Sequence, residues 1–125
     1  MPTLTQASNL GDLLKYEAPN LYSRERATAA AGQNLPLGAV VGRETATSKL
    51  KALDPAAGDG SEVAVGVLAL AVDATLIDQE DAILIARHAI GARNALVWPA
   101  GITTAQQLAA IAQLEARGIV VRDSA

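Results

Sequence analysis

Cysteine is absent from the 125-residue chain, which excludes a disulfide framework, a thiol nucleophile and a cysteine zinc site. Phenylalanine is absent as well, and one tryptophan and two tyrosines make up the whole aromatic content. The core must therefore be aliphatic, and burying alanine and valine yields less per residue than burying aromatic rings. A chain built this way gains from sharing apolar surface with copies of itself or with a host surface. Positive charge is sparse: ten Lys and Arg against thirteen acidic residues leave a net charge of −3, with the bases dispersed. That pattern lacks the footprint of nucleic-acid binding. No apolar run approaches the ~20 residues that a membrane helix needs. The opening Met1-Pro2-Thr3-Leu4-Thr5 has no basic segment followed by an apolar one. No secretory signal is therefore expected, and the protein is read as made in a cytoplasm or assembled there into something larger.

What is present centres on Glu62 to Asp73, where ten apolar or glycine residues lie between acidic ends and follow Gly58-Asp59-Gly60. A valine-rich run this short suits a strand buried on both faces better than a helix. Gly66 within it marks a place where the strand bends or another backbone comes close. The length predicts one domain, with everything after this strand forming the remaining walls of one small core.

Residues 1 to about 38 read as an arm, because Pro2, Gly11, Pro19, Asn20, Gly32, Asn34, Pro36 and Gly38 interrupt every candidate element. Within it, Leu13 to Tyr16 and Leu21-Tyr22 suit short strands, and Ala27 to Ala31 permits a helical turn. Leu37 to Arg43 and Ser48 to Leu53 read as two strands around a polar connection, with Lys49 and Lys51 opposite Leu50 and Ala52. Arg43, Lys49 and Lys51 are expected on a solvated face. Ala82 to Ala86 is a further apolar strand, continuing through Arg87-His88-Ala89-Ile90 to Gly91, and Asn94 to Pro99 is a short extended piece. Thr104 to Arg117 is the one helix expected, with Thr103 or Thr104 pairing with Gln106 or Gln107 as a capping box. Leu108, Ile111, Ala112 and Leu114 supply its apolar stripe. Gly118 ends it, and Ile119 to Arg122 form a final strand.

Candidate chemistry is thin. His88 is the single histidine, and a general base needs a positioned partner that the sequence does not supply. Asp73, Asp78, Glu80 and Asp81 form an acidic patch without the loop pattern of a calcium hand, which reads as a solvated loop. No phosphate-binding loop and no Gly-x-Ser-x-Gly elbow is present. No catalytic, cofactor-binding or metal-binding residue is therefore expected. Trp98 fits either a core plug or an interface anchor; Tyr16 and Tyr22, on a segment offering little core, favour an interface more, with docking onto their own domain and docking onto a partner both open.

Several stretches in one order point to a family. Val63-Ala64-Val65-Gly66-Val67-Leu68-Ala69-Leu70-Ala71-Val72-Asp73 resembles the corresponding strand of the bacteriophage lambda head decoration protein D family. Leu96-Val97-Trp98-Pro99, followed by a helix and Gly118-Ile119-Val120-Val121, has the same order and approximate spacing. Leu13-Leu14-Lys15-Tyr16-Glu17, Ala31-Gly32-Gln33-Asn34-Leu35 and Gly38-Ala39-Val40-Val41-Gly42 are also similar to members of that family, so the resemblance covers about residues 11 to 122.

The resemblance implies a β-rich α+β protein. It would be a small β-clip or β-tulip-type domain with an extended N-terminal arm and one C-terminal helix followed by a strand. It implies an arm over 1–38, partly disordered when free, and a decoration domain over 39–125. It further implies homotrimers on the outer surface of a phage head, bound to the major capsid protein at three-fold positions of the expanded lattice. They would hold it against internal DNA pressure, with no cofactor, nucleic acid or membrane as partner. Capsid contact is expected at Leu10, Leu13, Leu14, Tyr16, Leu21 and Tyr22, and a trimer interface at Trp98 and Pro99. Two alternatives stay open at this point: a self-assembling shell or coat protein unrelated to phage heads, and a β-clip-type small-ligand protein.

Overall fold

A computed structural model of the chain describes residues 10–17 and 23–123. A single turn of helix, α1 (Leu10–Leu13), leads into β1 (Leu14–Glu17). Then come β2 (Arg24–Ala29), β3 (Gln33–Leu35), β4 (Val40–Arg43) and β5 (Leu50–Ala52). They are followed by β6 (Gly66–Leu68), β7 (Val72–Ala74), β8 (Gln79–Ile85) and β9 (Ala89–Ala92). A 3-10 turn at Arg93–Ala95, helix α2 (Thr104–Glu115) and β10 (Ile119–Arg122) complete the chain. The result is a β-rich α+β domain with a helix near the C-terminus followed by a strand.

Five strands close a barrel in the order β2-β5-β4-β6-β8, β1-β9-β10 form a second sheet, and β3 pairs with β7. The Glu62–Asp73 run is divided between two of these layers. Val67 pairs with both Val40 and Ile85 inside the barrel, whereas Val72 pairs with Leu35 in the two-stranded sheet. Between them Leu70 and Ala71 are exposed. A composition of valine and alanine suits either arrangement; the partners on each side decide where the ladder breaks. Gly66 is where backbones converge, since a Cβ there would lie 2.5 Å from the Ile85 carbonyl oxygen.

Residues 24–29 and 33–35, read from the sequence as part of the arm, lie in sheets. Ala27 to Ala29 belong to β2, not to a helical turn. β2 runs antiparallel to β8 from Arg24↔Ile85 to Ala29↔Gln79 and meets β5 at Ala29↔Leu50. Local alanine propensity is worth tenths of a kcal/mol per residue and is overridden by pairing on two sides. The β4–β5 hairpin forms as the alternation predicts, with Val41↔Ala52 and Arg43↔Leu50. The apolar stretch after Ala82 turns between sheets at Arg87-His88, where His88 adopts φ 47°, so β8 and β9 are separate strands.

α2 starts on the Thr103–Gln106 capping box, with reciprocal bonds of 3.1 and 2.9 Å. It ends at Glu115 through i→i−3 bonds from Arg117 and Gly118 to Leu114 and Glu115, and Gly118 has φ 82°. Its inward face is Ala110, Ile111 and Leu114. Leu108 and Ala112, expected on that stripe, are exposed. Ala110 is buried in the same cluster as Ile119 and Val121 of β10.

Two apolar clusters hold the fold. One fills the barrel around Val41, Leu50, Leu68 and Leu84. The other joins the barrel to α2 and the second sheet through Leu13, Val40, Leu53, Leu114 and Ile119. Each of these side chains contributes about 1.5–3 kcal/mol relative to exposure. No helix among the described residues is long and apolar enough to cross a membrane.

Candidate functional site

The N-terminal segment divides by burial. Leu13 is 2 % exposed and belongs to the main core. Leu10 is half-buried against the same cluster, and Leu14 packs on a smaller one around Ile85 and Ala89. Tyr16 points outward, 53 % exposed. The reason lies in β1, which pairs antiparallel with β9 and shifts register between Leu14 and Tyr16. That bulge puts two consecutive residues, Lys15 and Tyr16, on the solvent side. Glu17 closes the strand by accepting two bonds from Arg24, at 2.9 and 2.7 Å. The Arg24 guanidinium holds the Glu17 carboxyl below its ordinary range, chiefly through these bonds. Leu21 and Tyr22 lie outside the described residues.

Trp98 and Pro99 are half-buried, and Trp98 packs against the main core. Pro99 borders a cleft of about 520 Å³ that Lys51, Asp54, Asp59, Ser61 and Gln106 also line. Within it Asp59 accepts the Ser61 hydroxyl at 2.6 Å and its N–H at 3.0 Å, and Lys51 at 3.2 Å. These three donors, the Ser61 hydroxyl foremost, stabilise the carboxylate and depress its pKa from 3.8 to about 2. Because the folded value lies below the unfolded one, the associated stability is complete above about pH 4. It is lost as pH falls toward 2. A carboxyl NMR titration should find Asp59 near 2, with Ser61→Ala raising it more than Lys51→Ala does. An Asp59 titrating at its ordinary value in the native protein would overturn this account of the turn.

The residues read as a solvated basic face and a base-free acidic patch are joined across strands. Lys49 pairs with Asp78, Arg26 with Asp81, and Lys51 with Glu44 at 3.1 Å and with Asp59. Asp78 also accepts the Ala31 N–H at 2.7 Å, and Asp73 closes an Asx turn on Thr75. These bonds serve the geometry of the β7–β8 turn.

Two apolar surfaces escaped the sequence reading. Leu76 and Ile77, at the β7–β8 turn, are 89 and 66 % exposed, and Leu70 is 42 % exposed. The adjacent apolar pair inside an acidic loop was the visible signal for them. The outward face of α2 carries Ala105, Leu108, Ala109, Ala112 and Ala116, all exposed. That face is mostly alanine, with Leu108 as its one large apolar side chain. A third feature had no sequence signal: Arg43, Arg87 and Arg117 line one cleft of about 490 Å³ with Glu25.

No curated protein matches the chain. The family model described as bacteriophage lambda head decoration protein D matches residues 3–119, nearly its whole length. The chain therefore belongs to the bacteriophage lambda head decoration protein D family, and it is a phage head decoration protein, a structural component of the virion capsid.

Proposed function

We propose that the protein binds as homotrimers at three-fold positions of an expanded phage capsid, contacts the major capsid protein, and stabilises the head against the pressure of packaged DNA. The observation that carries this reading is the family match over residues 3–119. The exposed apolar pair Leu76–Ile77 supports it, because adjacent, largely exposed leucine and isoleucine side chains form a contiguous apolar patch of the kind that marks a contact surface. The mechanism is mass action, not chemistry. A ligand that binds the mature lattice alone stabilises it by its own binding free energy, about 2.7 kcal/mol per site at a hundred times Kd. Three N-terminal segments per trimer add avidity, since each later one binds at high effective concentration.

On this reading Tyr16 is the principal contact with the capsid within β1, flanked by the exposed parts of Leu10 and Leu14, with Leu21 and Tyr22 following. Leu13 supports that contact from inside the core. The solvent-facing remainder of Trp98 and Pro99 belongs to the contact between copies.

Expanded, undecorated heads mixed with the purified protein and sedimented should carry it into the pellet in multiples of three per saturable site. Heads that have not expanded should leave it in the supernatant. Equal binding to both lattices, or none to either, would remove decoration of the mature head as the function.

A further inference from the structure

The connection between β5 and β6 contains the chain's single Asp-Gly pair, Asp59-Gly60, and no Asn-Gly pair occurs. An aspartate followed by glycine is the dipeptide most open to backbone rearrangement of this residue type, because no side chain shields the glycine nitrogen from the neighbouring carboxyl. The fold requires both residues. Gly60 has φ 109°, and a Cβ there would lie 2.6 Å from the Arg43 carbonyl oxygen and closer still to the Thr45 hydroxyl, so only glycine fits. The Asp59 carboxylate accepts the Ser61 hydroxyl at 2.6 Å and the Ser61 N–H at 3.0 Å, and its other oxygen accepts from Lys51 at 3.2 Å. Ser61 is buried, and its carbonyl accepts the Asp54 N–H at 3.0 Å. The peptide unit between Asp59 and Gly60 is tied at both ends. Its carbonyl accepts the Thr45 N–H at 2.8 Å, and its N–H donates to the Glu62 carboxylate at 2.8 Å.

We propose that Asp59-Gly60 is a site of isoaspartate formation, which the folded turn holds closed and local opening of the turn releases. In the rearrangement the Gly60 nitrogen attacks the Asp59 carboxyl carbon. A C–N bond forms, and the carboxyl hydroxyl leaves with the amide proton as water. Water then adds to the resulting succinimide. Opening at the side-chain carbonyl restores aspartate; opening at the main-chain carbonyl leaves isoaspartate, with no net change in mass. The folded turn opposes each requirement. Attack needs the face of the carboxyl turned to the nitrogen, which breaks its bonds to Ser61 and Lys51. It needs the peptide unit to rotate, against the bonds to Thr45 and Glu62. It also needs a protonated carboxyl, whereas the same donors, the Ser61 hydroxyl foremost, keep Asp59 ionised. Water reaches Asp59 from the cleft that it lines. Isoaspartate would lengthen the main chain by one methylene and displace the carboxylate that holds Ser61, against which Gly42 packs. None of this depends on what the protein decorates.

Peptide mapping of the full chain aged at neutral pH tests it. The isoaspartyl peptide separates from its parent of equal mass by chromatography, and an isoaspartyl methyltransferase labels the new carboxyl. In chain held unfolded by guanidinium chloride, isoaspartate should appear first at Asp59, on the order of tenfold or more faster than in the native protein. Ser61→Ala, aged below its melting transition, should raise the native rate by about tenfold, the effect of losing a hydrogen bond to a charged group. Leu13→Ala is the control, because it loosens the main core without touching the turn; its rate should stay near the native one. Equal rates in native and unfolded chain would overturn the proposal, as would isoaspartate arising first at another position. So would a Ser61→Ala rate no higher than the native one. If Leu13→Ala accelerates the reaction as much as Ser61→Ala does, global unfolding and not the turn governs it, and the proposal fails.

Discussion

Leu13→Ala is expected to destabilise the protein by about 3 kcal/mol, while Tyr16→Ala, three residues on, changes stability by less than about 0.5 kcal/mol. Leu13 is 2 % exposed and touches the cluster that holds α2, the barrel and the second sheet together. Removing its isobutyl group leaves a cavity among backbones fixed by the β1–β9 ladder, so little collapse can offset the loss. Tyr16 is 53 % exposed on an edge strand, and its truncation leaves no void. Head binding should order the two the other way. Tyr16→Ala should weaken pelleting with expanded heads at unchanged melting temperature. Leu13→Ala should bind normally at temperatures where it is folded. Urea unfolding alongside the pelleting assay measures both. A Leu13→Ala protein with native stability and no head binding would place Leu13 in the contact itself. Truncation of residues 1–22 cannot make this distinction, because it removes Leu13 and all of β1 together with Tyr16. Truncation of residues 1–9 leaves the ladder intact.

The second large effect is expected at Gly42. A Cβ there would lie 2.4 Å from the Ser61 carbonyl oxygen, 2.6 Å from its Cα and 2.7 Å from its carbonyl carbon. All three are backbone atoms, so no rotamer change relieves the clash. Ser61 is itself held by Asp59 through 2.6 and 3.0 Å bonds and by the Asp54 N–H at 3.0 Å. Gly42→Ala must therefore displace either β4, which is central in the barrel, or the whole 54–61 turn. The expected cost is about 3 kcal/mol or more, at the upper end of overpacking effects. Gly58→Ala is the control, because nothing lies within 4 Å of a Cβ at that position. It should fall within about 0.5 kcal/mol of the native protein. Urea midpoints at unchanged slope read the difference. Equal midpoints for the two variants would mean that β4 and the turn do not pack as closely as the structure has them.

Both expected outcomes bear on how a chain of small aliphatic residues packs without large aromatic side chains. Without large aromatic side chains to fill space, the barrel brings backbones together at glycines, as Gly66 also does against β8. The molecule then has little slack inside and leaves Leu76, Ile77 and Leu108 outside. On the proposed reading, a protein that binds a lattice and resists its deformation has use for both properties.

Local chemistry was enough to place several features from the sequence alone. The α2 capping box, the glycine after the helix, the β4–β5 hairpin and the final strand depend on residues within a few positions of one another. Their signals therefore sit together in the chain. The aliphatic, cysteine-free composition likewise bounded the class of protein, and the order of motifs named its family. The rest depended on partners far away in sequence. β2 is a strand because β8 lies beside it some fifty residues later, and the valine run splits because β4, β8 and β3 claim different parts of it. Leu13 ends a helical turn packed on the main core, and a bulge against β9 two residues later leaves Lys15 and Tyr16 facing out. Arg43, Arg87 and Arg117 share a cleft although each looks solitary in the chain. Hydrogen-bond registers and ion pairs of this kind are set by which backbones meet, and only the tertiary structure decides that.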